Sequence, residues 1–104
     1  MQASGAEAIV EFQDDSGTPI IKIAGEVDMS NAALVREAVD LVIAHDPERV
    51  VFDLGELQFM DSSGLAMLLG FAERIAVVEL RRPLPLIRRI IELTGLSSAF
   101  VIAC

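Results

Sequence analysis

Asp61-Ser62-Ser63-Gly64 is the densest group of chemistry-bearing residues in this 104-residue chain. An aspartate followed by two serines and a glycine can cap a helix, because the first backbone N–H groups of a helix lack partners and short oxygen-bearing side chains satisfy them. It can equally present a hydroxyl for modification where the helix dipole is positive and added charge has large consequences. A serine nucleophile is the third option, and it fails on spacing. The hydrolase elbow is GxSxG, and Asp61 stands where the first glycine belongs relative to Ser63. A general base is also lacking, since His45 is the single histidine and lies beside Asp46-Pro47, at an expected helix end. Capping and modification both stay open; the chain reads as a binder, not an enzyme.

The remaining inventory closes other classes. One histidine and one cysteine, Cys104, offer no HExxH or CxxC spacing, so no metal site is expected. GxGxxG and GxxxxGK[ST] are both absent, so no cofactor-cradling loop is expected either. Sixteen acidic residues against eight basic give a net charge of −8, the reverse of the basic footprint that nucleic acid requires. There is no Trp or Tyr on which bases could stack. A single cysteine excludes an internal disulfide and suits a reducing compartment. Residues 1–10 carry no basic segment followed by an apolar run, and the longest apolar stretch, residues 65–72, is far below the roughly 20 needed to cross a bilayer. The expectation is a cytoplasmic domain with no direct membrane insertion.

These residues must be positioned by a short series of elements. Residues 9–12 and 20–24 read as strands around the turn Asp14-Asp15-Ser16-Gly17, and Gly25-Glu26-Val27-Asp28 reads as the loop that leaves them. Ser30 is the expected N-cap of a helix over 31–45, with Leu34, Val35, Ala38, Leu41 and Val42 inward and Arg36, Glu37 and Asp40 outward. Residues 49–54 are apolar on both parities, as a central strand covered on two faces is. A connection over 55–60 leads to a second helix, whose inward stripe is Leu65, Leu68, Leu69, Ala72, Ile75 and Ala76. Met67, Gly70 and Arg74 point away from that stripe, beside Ser63. A strand over 77–80 and a helix entered at Pro85 follow, with Ile87, Ile90 and Ile91 inward and Gly95 as the stop. Residues 100–102 can form a last short strand. The order ββαβαβα predicts one α/β domain, with a mixed, mostly parallel sheet of four to five strands and about three helices. Charge is partitioned along it: residues 1–80 hold 15 acids and 4 bases, while Arg81, Arg82, Arg88 and Arg89 face one acid, Glu92, in the rest. Those arginines are either a solvated surface or a contact patch for an acidic partner.

Taken in order, Gly25-Glu26-Val27-Asp28, Val51-Phe52-Asp53-Leu54, Phe59-Met60-Asp61-Ser62-Ser63-Gly64-Leu65 and Arg88-Arg89-Ile90-Ile91-Glu92-Leu93-Thr94-Gly95-Leu96 resemble the STAS domain of bacterial anti-sigma factor antagonists. The resemblance runs over about residues 9–102. It departs from the family pattern in two places. The segment from Asp61 to Pro85 is about one helical turn shorter, and the sequence reaches only just past Ile102, short of the family's final helix.

The resemblance implies a partner-switching module. The unmodified antagonist binds an anti-sigma factor serine kinase and so frees a sigma factor; the kinase phosphorylates the serine after the motif aspartate, here Ser62, and a serine phosphatase resets the cycle. ATP belongs to the kinase. The partner-binding residues expected on this basis are Asp28, Met29, Ser30, Asp61, Ser62, Ser63, Gly64, Met67, Gly70 and Arg74, with Ser63 as the helix cap. Two other roles fit the same resemblance: an accessory module of a membrane lipid or anion transporter, without a phosphorylation cycle, and a structural scaffold.

Overall fold

Local turn chemistry starts the fold. Ser16 and Gly17 take positive φ values of 55° and 93°, and the Gly17 N–H donates to Asp14 Oδ2 at 3.2 Å, closing a tight hairpin between β1 (Ala8–Asp15) and β2 (Thr18–Val27). The computed structural model describes residues 7–103; residues 1–6 and Cys104, and with them the readings of a leader and of the thiol, lie outside the described residues. After the hairpin come α1 (Ala32–Val42), β3 (Arg49–Asp53), β4 (Leu57–Met60), α2 (Ser62–Arg74), β5 (Val77–Arg81), α3 (Pro85–Leu93), a 3-10 turn over Leu96–Ala99 and β6 (Val101–Ala103). The sheet order is β1-β2-β3-β5-β6, with β4 also paired to β2; every pairing is parallel except the hairpin. The expected α/β domain with a mixed sheet and three helices is thus present, with six strands.

Register assigns the faces. Phe12, Ile21, Phe52, Leu80 and Ile102 are successive cross-strand neighbours, and so share one face with Ile23, Val50 and Val78. Except for Phe12, which is 49% exposed near the hairpin end, that face and the inner residues of all three helices, among them Val35, Val39, Leu68, Phe71, Ile87 and Ile91, make one core. The Phe52 and Phe71 rings pack 5.7 Å apart at its centre. The expectation that β3 is covered by apolar layers on two faces is not met. On its second side Val51 is buried beside Ile20 and Glu79 yet stands outside the core. Charged side chains surround it instead: Glu79 accepts from Arg49 and from Arg81 Nε (2.7 Å), Lys22 Nζ lies 2.6 Å from Glu56, and Arg82 Nη2 donates to both oxygens of Asp53 at 2.8 and 2.6 Å. Val51 is apolar because paired long side chains shield it, not a second helix layer.

Other expectations shift for definite reasons. Gly25 and Glu26 do not leave β2 as a loop; the strand continues to Val27 through a register shift. Gly25 sits at φ 93°, where an added Cβ would lie 2.4 Å from the Glu7 carbonyl oxygen, so a glycine that reads as a stop is a bulge inside the strand. Residues 57–60 are a strand, not a bare connection. In α1 the buried residues are Val35 and Val39, while Leu34 and Leu41, expected inside, are 66% and 82% exposed. In α2 the inner face is Gly64, Met67, Leu68 and Phe71; Ala76 is exposed beyond the helix end. The helix runs thirteen residues and passes through Ile75-Ala76 directly into β5. Helix α3 opens with Pro85, and Gly95 follows its C-terminal end at φ 76°, as expected.

Glu79 gives this architecture a pH signature. The Arg81 hydrogen bond, aided by Arg49 and opposed by burial, holds its carboxyl below the ordinary glutamate value. A depressed carboxylate contributes stability that is fully present above its unfolded pKa, about 4.3, and is lost as pH falls through the folded value. Urea unfolding of the parent should therefore weaken more between about pH 5 and pH 3 than that of Glu79→Gln. At pH 7 the substitution should cost about 1–2 kcal/mol, since charge-assisted bonds become ordinary ones with half-exposed arginines. Equal pH slopes for the two proteins would exclude this role.

Candidate functional site

Parallel pairing of β2 and β4 fixes the site. Val27 and Met60 are register partners, and the Asp61 N–H donates to the Val27 carbonyl at 3.1 Å, so Asp28 and Asp61 leave the sheet side by side. Asp61 then starts α2. Its Oδ1 accepts from the Ser63 N–H at 2.8 Å and the Gly64 N–H at 3.4 Å, satisfying two of the donors a helix start leaves open. The cap is Asp61, not Ser63 as expected from sequence. Ser62 becomes the first residue of the helix and is exposed; Ser63, the second, is half-buried. Gly64 is buried, and a Cβ there would meet Met60 Cγ at 2.5 Å, so the glycine is what lets α2 lie against β4.

The loop over Asp28 is equally ordered. Asp28 Oδ1 accepts from the Ser30 hydroxyl at 2.6 Å and the Ser30 N–H at 2.8 Å, and these bonds hold its carboxyl below the usual aspartate range. Ser30 therefore closes a turn onto Asp28 and does not cap α1. The helix begins one residue later, flanked by Asn31, whose amide donates to the Glu26 carbonyl at 2.9 Å while its Oδ1 accepts from the Asp28 N–H at 3.0 Å. The buried Asn31 thus ties the end of β2 to the start of α1. Met29, between these anchors, is 83% exposed.

A groove of about 730 Å³ opens between α1 and α2, running from Met29 and Ser63 to Asp40 and Arg74. Small residues, Ala32 and Ala33 on one side and Ala66 and Gly70 on the other, keep the helices' facing surfaces low. At the far end Arg74 Nη1 donates to Asp40 Oδ1 at 2.8 Å, and its guanidinium lies 5.6 Å from the Phe71 ring centroid. Of the residues assigned to this surface from sequence, Met29, Ser63, Gly70 and Arg74 line the groove; Asp28, Ser30, Asp61 and Ser62 flank Met29 and Ser63 in the chain without lining it, and Gly64 is buried against Met60. Met67 is corrected: it does not point outward but is 6% exposed, part of the core and the groove floor at once. Arg36, Asp40, Ala66 and Phe71 were not foreseen as lining residues; the small residues at helical spacing were the available signal.

Among the described residues no group of His, Cys, Asp and Glu could hold a metal ion, and no helix is long and apolar enough to cross a membrane. What the arrangement offers is an exposed hydroxyl at a helix start, two carboxylates beside it and a groove leading away.

Comparison with known proteins finds similar chains. A family profile described as "Mlab, STAS domain" matches residues 10–102. An anti-sigma F factor antagonist of Paenibacillus polymyxa is 33% identical over 95 residues, covering 84% of this chain and 79% of its own length. The anti-sigma-F factor antagonist RsfB of Mycobacterium tuberculosis is 36% identical over 66 residues, 64% of this chain; the match spans about half, 54%, of that relative's length. The crystal structure of an anti-sigma factor antagonist from Mycobacterium paratuberculosis superposes with a TM-score of 0.79 at 30% identity, covering 99% of this chain and 90% of that one.

The capping geometry sets a stability order. Asp61→Ala should cost about 0.5–2 kcal/mol in urea unfolding, the usual value of a lost N-cap. Ser63→Ala should stay within about 0.5 kcal/mol of the parent, as a half-buried hydroxyl that caps nothing. Met67→Glu should fail to fold or lose several kcal/mol, because it places a charge in the core. A Ser63→Ala defect as large as that of Asp61→Ala would return the cap to Ser63.

Proposed function

The chain belongs to the STAS domain family, and on that footing we propose that it is an anti-sigma factor antagonist switched by phosphorylation of Ser62. Unmodified, it binds an anti-sigma factor serine kinase through the mouth and walls of the α1–α2 groove and so releases a sigma factor. The observation that carries this reading is the placement of Ser62: an exposed hydroxyl on the first residue of α2, beside the Asp61 cap and next to the groove. In the transfer the Ser62 hydroxyl displaces ADP from the γ-phosphorus of kinase-bound ATP, losing its proton, and a serine phosphatase later hydrolyses the ester with water. In this reading the nucleotide and the turnover belong to the kinase and the phosphatase.

Electrostatics supports a switch without refolding. A phosphoserine adds about 1.5–2 negative charges at pH 7. The start of α2 tolerates a phosphate well, so the domain stays folded. The partner, however, now meets a hydrated dianion next to Asp61 and Asp28 where it had met a neutral hydroxyl. An unpaired charge at an interface typically costs about 2–5 kcal/mol, roughly 30-fold or more in affinity.

Gly70 fits the same surface. It lies in the middle of α2, yet a Cβ there would meet nothing within 4 Å, so nothing in the chain itself requires glycine. A glycine inside a helix costs about 0.5–1 kcal/mol relative to alanine. A partner side chain seated over Gly70 accounts for that cost.

Two experiments test the proposal. Incubation with ATP and the anti-sigma kinase of the source organism, followed by mass spectrometry, should add one phosphate to the parent and to Ser63→Ala, and none to Ser62→Ala. Ser62→Ala should bind the kinase constitutively, and Ser62→Asp should bind poorly, though better than the phosphoprotein. Modification of Ser62→Ala but not of Ser63→Ala would move the site. No modification by any cellular kinase, together with capture of transporter subunits, would instead favour the accessory-module role that the same family accommodates. Separately, Gly70→Ala should raise stability by about 0.5–1 kcal/mol while weakening kinase binding; unchanged binding would remove Gly70 from the contact.

A further inference from the structure

Away from the groove, α1 and α3 repeat one surface. Leu34-Val35-Arg36-Glu37-Ala38-Val39-Asp40-Leu41 and Leu86-Ile87-Arg88-Arg89-Ile90-Ile91-Glu92-Leu93 match position by position in character except at the fourth, where α1 has Glu37 and α3 has Arg89. The burial matches as well: Val35 and Val39 in α1, and Ile87 and Ile91 in α3, all lie inside, while the leucines seven residues apart on each helix stand out in solvent. Leu34 and Leu41 are 66% and 82% exposed, Leu86 and Leu93 66% and 73%. Two leucines at that spacing lie on one side of a helix, with residues three and four positions on between them. Each helix therefore presents an apolar pair around a central charge, negative on α1 and positive on α3. Neither Glu37 nor Arg89 forms an ion pair within the chain among the described residues, whereas Asp40, Arg88 and Glu92 are paired internally. Beside α1, Leu34 and Ala38 border a recess of about 420 Å³ against Ala8 and Val10 of edge strand β1, with Glu7 at its rim.

We infer that the chain associates with further copies of itself head to tail, the Leu86/Leu93 face of α3 in one molecule docking on the Leu34/Leu41 face of α1 in the next. Both leucine pairs have the same spacing, so they meet in either helix direction; run parallel, Glu37 lies opposite Arg89, and run antiparallel, Arg89 lies opposite Ala38, one residue from Glu37. Like-on-like pairing, α1 with α1 or α3 with α3, brings equal charges together at the centre and is disfavoured. A contact between two different surfaces leaves one of each free on every pair, so assembly continues past two copies, into a ring where the rotation closes and an open chain where it does not. The patches are small and each molecule carries a net charge of −8, so the contact is weak and strengthens as salt screens the long-range repulsion. It leaves the α1–α2 groove free, because Ala32, Ala33, Arg36 and Asp40 line that groove while Leu34 and Leu41 do not. The inference is independent of the reading of Ser62.

Sedimentation velocity at about 0.15 M salt, with protein from about 10 µM to 1 mM, tests it. The weight-average mass should rise from the 11.2 kDa of the monomer with concentration and pass the dimer value without a plateau. Leu34→Glu and Leu93→Glu should each stay monomeric, as both positions are exposed and the substitutions leave the fold intact. Mixed in equal amounts they should form dimers and nothing larger, since one sound α1 face and one sound α3 face remain. Glu37→Arg should weaken association at least threefold, and adding Arg89→Glu in the same chain should restore it. A monomer at every concentration overturns the proposal, as does a plateau at two copies or association that survives both leucine substitutions.

Discussion

The hydrogen bond from the Asp61 N–H to the Val27 carbonyl is the contact on which the site depends. It extends the β2–β4 ladder by one residue past Met60, and it decides where the chain turns into α2. From it follow the adjacency of Asp28 and Asp61, the capping position of Asp61 and the exposure of Ser62. The close approach of Gly64 to Met60 is its companion on the packing side, since any larger residue would run into the Met60 side chain. A polar link and a steric one thus locate the same helix start, and a hydroxyl at that point is held in place without being buried.

Much of this was legible in the residues. Alternation and turn chemistry revealed the hairpin, the doubly apolar run at β3 marked a central strand, and Pro85 and Gly95 framed α3. The Asp-Ser-Ser-Gly group was visible as a helix start. Which of its members caps was not, because aspartate and serine satisfy the same donors and only the direction of the chain leaving β4 chooses between them. The strand β4 was hidden for a similar reason: Gln58 and Phe59 are both exposed between buried Leu57 and Met60, so no two-residue alternation appears.

Helical faces were the harder case. In α1 the apolar residues span more than half the circumference, and no sequence rule says which half turns inward. Charge does not help, since Arg36 and Asp40 lie toward the groove and Glu37 toward solvent. In α2 a methionine placed off the leucine stripe reads as surface, yet Met67 lies on the inner face with Gly64, Leu68 and Phe71. Both errors come from assuming one partner layer per helix. Each of these helices borders the sheet on one side and a groove on the other.

The order of strands across the sheet, β1-β2-β3-β5-β6, is also their order along the chain. During synthesis, each strand that emerges after the first finds its pairing edge already laid down by an earlier one, starting from a hairpin that closes within microseconds. The segment that carries the Asp61 cap, made of β2, β4 and the first turn of α2, is complete once residue 65 has left the ribosome. Assembly in this order needs no returning segment to wait for and exposes one fresh sheet edge at a time, so a nascent chain of this design has few opportunities to pair wrongly before its sequence is finished.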